Sequence, residues 1–216
     1  MISKDFKALA RRSLKDKWGM AIGAILLYSL IVGAASLMSF LGLVFVGYPL
    51  YFGYARFNMA LAQGYGEFDD LFSGFREDYM DNAITFLIME LFIILWTFLL
   101  IIPGIIKSLS YAMVPYLLVD KDYRLFQMDA LRESERMMYG NKMRLFKLYL
   151  SFLGWHLLGL LTLGILNILY VSPLQNQAVA HFFYDLKSKD KNDDKLTHIV
   201  EEIIPVIKGN EDAWDF

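Results

Sequence analysis

The sequence predicts an all-α, polytopic membrane bundle: about six transmembrane helices in three helical hairpins, each preceded by a cytoplasmic amphipathic segment. Three observations carry this prediction. Residues 18–55 contain no Asp, Glu, Lys or Arg, residues 82–119 contain only Glu90 and Lys107, and residues 148–184 contain none, their polar exceptions including His156 and His181. These blocks are nearly equal in length, which marks a repeated unit. Each holds a break rich in Pro or Gly: Gly47-Tyr48-Pro49, Pro103-Gly104, and Asn167 through Ser172-Pro173.

Length turns each block into a hairpin. A straight helix of about 38 residues would run roughly 57 Å, about twice the hydrocarbon thickness of a bilayer, so each block must double back. Proline lacks the amide hydrogen and glycine tolerates a tight reversal, so the breaks are read as hairpin tips. The predicted spans are 20–46 and 48–63, 83–102 and 105–119, and 148–167 and 172–186. Small residues four apart (Gly19 and Gly23, Ser29 and Gly33, Ala35 and Ser39) would let helices approach closely.

A segment with helical periodicity precedes each block. In the first, Phe6, Leu9, Ala10 and Leu14 share a face opposite Lys7, Arg11 and Lys15; in the second, Phe68, Leu71, Phe72, Phe75 and Tyr79 follow the same period. Both are expected to lie flat on the membrane surface. In the third, Gly140 reads as a helix stop and Asn141 as the next N-cap. The repeats are therefore 1–63, 64–120 and 121–187, forming an integral membrane domain over 1–187. Residues 188–216 form a polar tail with a short amphipathic helix around Leu196–Ile204.

Charge placement sets orientation. Six basic groups crowd residues 1–17 and seven more lie within 120–147, so the positive-inside rule puts both termini and the inter-block segments in the cytoplasm. The near balance of 21 basic and 23 acidic residues lacks the cationic footprint of a nucleic-acid binder. With no cysteine, disulfides, thiolate zinc sites and cysteine nucleophiles are excluded. No metal ligand set and no cofactor fingerprint is present, and no catalytic residues are assigned.

The informative residues are polar ones within the predicted spans. Arg56 and Glu90, each about 10 Å from a cytoplasmic end by helical rise, are expected to form an intramembrane pair joining the first two hairpins. His156 is a further intramembrane polar group, and Lys107 is expected to snorkel to the headgroups. Lys7, Arg11, Arg12 and Lys15 form a basic surface for anionic lipid.

The stretches LWTFLLIIPGIIKSLSYAMVPYLL at 95–118, SERMMYGNKMRLFKLYLSFLGW at 134–155 and FYDL at 183–186 resemble an uncharacterised bacterial integral-membrane family, domain of unknown function number 975. The likeness runs from KALARRSLKDKWGMA, which begins at Lys7, to about residue 187. A fainter similarity links the chain to the membrane domain of glycerophosphodiester phosphodiesterases. The resemblance implies a multi-pass protein of a bacterial plasma membrane and supplies no catalytic residues. The expected function is non-enzymatic: engagement of the lipid bilayer, its anionic lipids above all, or of an envelope partner, with a homo-oligomer or membrane-protein partner in view and no nucleic acid. The alternatives are a small transporter or channel, with Arg56, Glu90 and His156 lining a polar path, and an intramembrane lipid-modifying enzyme.

Overall fold

The computed structural model describes residues 2–38, 43–76, 79–120, 122–123, 125 and 127–190. The tail helix expected around Leu196–Ile204 lies outside them. Among the described residues all regular structure is helical: α1 (Ser3–Leu14), α2 (Trp18–Met38), a π-helical turn (Leu43–Gly47), α3 (Tyr48–Gln63), a 3₁₀ segment (Phe68–Phe75), α4 (Tyr79–Leu99), α5 (Ile101–Tyr111), α6 (Val114–Val119), α7 (Gln127–Met138), α8 (Lys142–Leu161), a second π-helical turn (Asn167–Val171), and α9 over 172–183. The chain divides into two compact units, Met1–Phe183 and Tyr184–Phe216. In the second, residues 184–190 are helical, with Lys189 pairing to Asp185 at 3.5 Å, so the polar tail begins as a helix.

Among the described residues three helices, not six, are long and apolar enough to cross a membrane: Trp18–Ser36, Tyr79–Phe98 and Ile101–Val119, the last joining α5 and α6. The other predicted spans fall short for separate reasons. α3 has 16 residues, about 24 Å of helix, and α8 opens with Lys142, Arg144 and Lys147.

The apolar blocks do fold back, but not at the predicted residues. In the first, α2 and α3 run antiparallel, with Lys17 Nζ donating to the Gly64 carbonyl at one end and the Tyr28 and Tyr54 rings stacked 4.9 Å apart further along. Gly47, Tyr48 and Pro49 are helical; Pro49 sits in the first turn of α3, where a missing amide hydrogen has no partner to lose. In the second, the break is Leu100, in extended conformation (φ −160°, ψ 136°), and Pro103 occupies the first turn of α5. Gly104 has a different task from turning: a Cβ there would lie 2.7 Å from Thr97 Cα, so it lets α4 and α5 touch directly behind the tip. In the third, the reversal is Thr162–Gly164, with Leu163 and Gly164 at φ 52° and 86°, several residues before Asn167.

α3 is the centre of the first unit. Leu50, Phe52 and Leu61 are fully buried, and Phe52 joins Phe86, Met89, Tyr111, Val114, Ala130 and Leu131 in one cluster drawn from α3, α4, α5, α6 and α7.

The apolar face of α1 packs against protein, contrary to the expectation that it lies on lipid, whereas Phe68, Phe72 and Phe75 of the 3₁₀ segment stay exposed. Phe6, Ala10 and Leu14 of α1 are at most 1% exposed, and Phe6 meets Phe182 edge to face at 5.2 Å. The 3₁₀ segment runs back along α3, backbone against backbone: a Cβ on Gly53 would lie 1.8 Å from the Leu71 carbonyl oxygen, and one on Gly74 would lie 2.1 Å from that of Pro49. Tyr79 then donates to the Phe45 carbonyl at 3.0 Å. The link between the first two blocks thus returns to the residues read as the far tip of the first hairpin, and the two cannot lie on opposite faces of a bilayer. Of the small residues expected at helix contacts, Gly19 and Gly33 have no neighbour within 4 Å of a Cβ position, Gly23 meets the Phe68 ring, and Ser39 lies outside the described residues.

α7 also departs from the surface. Ser134 Oγ donates to the Ser110 carbonyl at 2.7 Å and accepts from Met113 N–H at 3.3 Å, while Gln127 N–H donates to Thr85 Oγ1 at 2.8 Å. The helix therefore lies lengthwise against α4 and α5, at the mid-height of two candidate spans. Gly140 ends this stretch at φ 72°. Asn141 is at the N-cap position as predicted, but its amide donates backward, to the Met137 and Tyr139 carbonyls, and so caps α7 instead of α8.

Candidate functional site

Between α2, α3, α4, α5, α6, α8 and α9 lies a cavity of about 800 Å³. Six tyrosines line it: Tyr28, Tyr51, Tyr54, Tyr111, Tyr116 and Tyr149. Among the described residues its lining carries one charged side chain, Glu90, together with His156. Tyrosine suits such a wall because an apolar ring packs against neighbours while the hydroxyl keeps a polar edge toward the opening.

A run of three amides holds one side in place. Gln175 Oε1 lies 2.7 Å from His156 Nε2; Asn176 Nδ2 donates to the Tyr54 hydroxyl at 2.8 Å; Gln177 Nε2 donates to Asn58 Oδ1 at 3.0 Å. Asn58 in turn donates to the Tyr54 carbonyl one turn back, at 2.8 Å. Successive residues of α9 thus grip α8 once, through Gln175, and α3 twice, through Asn176 and Gln177. Gln177 and Asn58 are buried, where an unpaired amide would cost about 1–3 kcal/mol. Sequence reasoning passed over Gln175–Gln177, although the signal was there: three consecutive carboxamides inside an apolar block need partners.

Glu90, from α4, lines the same cavity as Tyr28, Tyr51 and Tyr149. Among the described residues, no side chain donates a hydrogen bond to the Glu90 carboxylate and no cation pairs with it.

The structure separates the residues that sequence reasoning grouped. Glu90 and His156 line one cavity, whereas Arg56 faces Asp70 at 3.8 Å, a partner delivered by the returning 3₁₀ segment. The expected pairing of Arg56 with Glu90 is replaced by that contact. Lys107 is equally committed, pairing with Glu135 of α7 and standing 5.6 Å above the Trp96 ring and 5.3 Å above that of Tyr111. It is fixed inside the bundle by α7 rather than snorkelling alone to headgroups. Of the basic surface, Arg11, Arg12 and Lys15 are exposed. Lys7 leans inward, donating to the Ser151 carbonyl at 2.6 Å with its ammonium 4.1 Å from the Phe152 ring centre. Burial, with a smaller push from Arg11, lowers its pKa below the ordinary lysine value.

A family model described as a protein of unknown function (DUF975) matches residues 71–190. The chain belongs to that family. The DUF975 segment contains Glu90, Lys107, His156 and the Gln175–Gln177 run; Tyr28, Tyr51, Tyr54 and Arg56 precede it. No curated protein and no solved structure matches the chain, so the likeness to glycerophosphodiester phosphodiesterases gains no support.

Proposed function

We propose that this DUF975 protein is a non-catalytic membrane protein that binds a small polar solute in the tyrosine-lined cavity and passes it across the bilayer, as a small transporter or channel of a bacterial plasma membrane. One observation carries the reading: a cavity of about 800 Å³, within the usual size for small-molecule sites, has a carboxylate and a histidine as its most polar groups. The intramembrane cations, Arg56 and Lys107, are matched by Asp70 and Glu135, leaving Glu90 to face the cavity. Ionisable residues in such positions mark solute or proton paths. Short segments beside the full spans, such as α3 with its returning 3₁₀ partner, are tolerated where they are enclosed in protein and border a cavity.

The test is osmotic. Proteoliposomes carrying the full chain are shocked with choline chloride, sodium gluconate or sorbitol, and reswelling is followed by light scattering. At least one solute should enter faster than in protein-free vesicles, and E90Q should slow that entry about tenfold. No protein-dependent entry of any of the three, or an E90Q rate equal to wild type, overturns the reading.

A second role rests on a different observation. Because the apolar face of α1 is buried, its exposed Arg11, Arg12 and Lys15 face outward as a purely electrostatic surface, suited to the anionic inner leaflet. This supports an N-terminus on the cytoplasmic side. A cytoplasmic C-terminus belongs to the same proposal.

A further inference from the structure

We infer that the solute is a small organic cation, a quaternary or substituted ammonium, held between the Glu90 carboxylate and the tyrosine faces. This rests on the cavity reading above and names its ligand class.

The argument begins with Glu90. A carboxylate drawn out of water costs a great deal unless it is paired, and Glu90, half-buried within a candidate span, has no cationic partner among the described residues, although two cations, Arg56 and Lys107, lie in the predicted spans. Each of those is held by an acid of its own. The charge left over is therefore negative, and it faces the cavity. What completes it must bring positive charge.

The walls then choose among cations. Tyrosine faces carry negative quadrupole potential and attract weakly hydrated ammonium groups. Tyr28, Tyr51 and Tyr149 line the same cavity as Glu90, so rings and carboxylate face one enclosed space. Calcium or magnesium would need about six converging oxygens with several carboxylates among them. Among the described residues no group of three or more His, Cys, Asp or Glu side chains is placed to hold a metal. A proton alone would satisfy Glu90 but leaves about 800 Å³ of ring-lined space without a role.

The experiment pairs two probes of the same shape. Choline and its neutral carbon isostere, 3,3-dimethylbutan-1-ol, are titrated by calorimetry into the full chain in nanodiscs. Choline should bind at least tenfold more tightly than the isostere. E90Q should weaken choline by about thirtyfold or more, as expected for removing one partner of a buried charge pair. Tyr28→Leu should weaken it about fivefold while Tyr28→Phe leaves it unchanged, because the ring supplies the attraction. Tyr28 is only partly buried, so that pair of variants carries the test should E90Q fail to fold. Equal binding of the two probes, or equal effects of Tyr28→Leu and Tyr28→Phe, overturns the cation assignment and leaves the cavity reading standing. Binding of neither, together with no entry of any solute in the osmotic assay, removes both.

Discussion

Gly53 shows how one residue governs the path of the chain. With hydrogen in place of a side chain, α3 accepts the Leu71 carbonyl directly against its backbone, and the neighbouring turn of the 3₁₀ segment brings Asp70 to Arg56. Gly53→Ala would set a Cβ 1.8 Å from a backbone oxygen that no rotamer change can move. We expect a loss of about 3 kcal/mol or more, read as a lowered melting temperature in detergent, and none of comparable size for Gly33→Ala, which meets open space. This contact also explains why Arg56 was misassigned in the sequence. Counting residues inward from each end gave Arg56 and Glu90 equal depth, which is reasonable if every link lies on the surface. The backbone approach at Gly53 has no signature in hydropathy, so the returning acid was invisible. Glu90 and His156 were legible as intramembrane polar groups; the six tyrosines around them, scattered from position 28 to 149, were not legible as a group.

Among the helices, α1 illustrates an ambiguity built into amphipathic patterns. An apolar stripe opposite lysines and arginines fits a lipid surface or a protein groove equally well, and only the packing of Phe6 on Phe182 decides for the groove. The two roles separate by mutation. Phe6→Ala should destabilise the fold by about 3–4 kcal/mol. The triple variant R11E, R12E and K15E should melt like wild type yet bind vesicles rich in phosphatidylglycerol more weakly in a flotation assay. If the triple variant were to melt early while Phe6→Ala did not, the assignment of faces would be reversed. The hairpins were legible because long uncharged runs must double back, but their turns were not. Pro103 suits the first turn of a helix as well as it suits a loop, and Gly104 serves close packing, so Pro-Gly marked the region of the reversal and missed its residue by three.

Across the whole molecule, apolar exposure is uneven. Leu91, Ile94, Leu95 and Phe98 of α4 and Ile101 and Ile102 of α5 are open to the surroundings, as are Leu157, Leu158 and Leu160 through Leu163 apart from Thr162 along the end of α8. Beside the same two candidate spans, α7 presents Asp129 paired with Arg132 and Glu133 paired with Arg136. Acyl chains cannot solvate both sides alike. A nitroxide attached at position 132 should therefore report high collision rates with a water-soluble nickel complex, and one at position 95 with oxygen; oxygen-dominated relaxation at both sites would refute that asymmetry. Such a flank calls for a local dimple, headgroups sinking beside the charged helix while tails stay full length on the other side. A sheet of lipid deformed in this lopsided way would tilt and curve around such an inclusion.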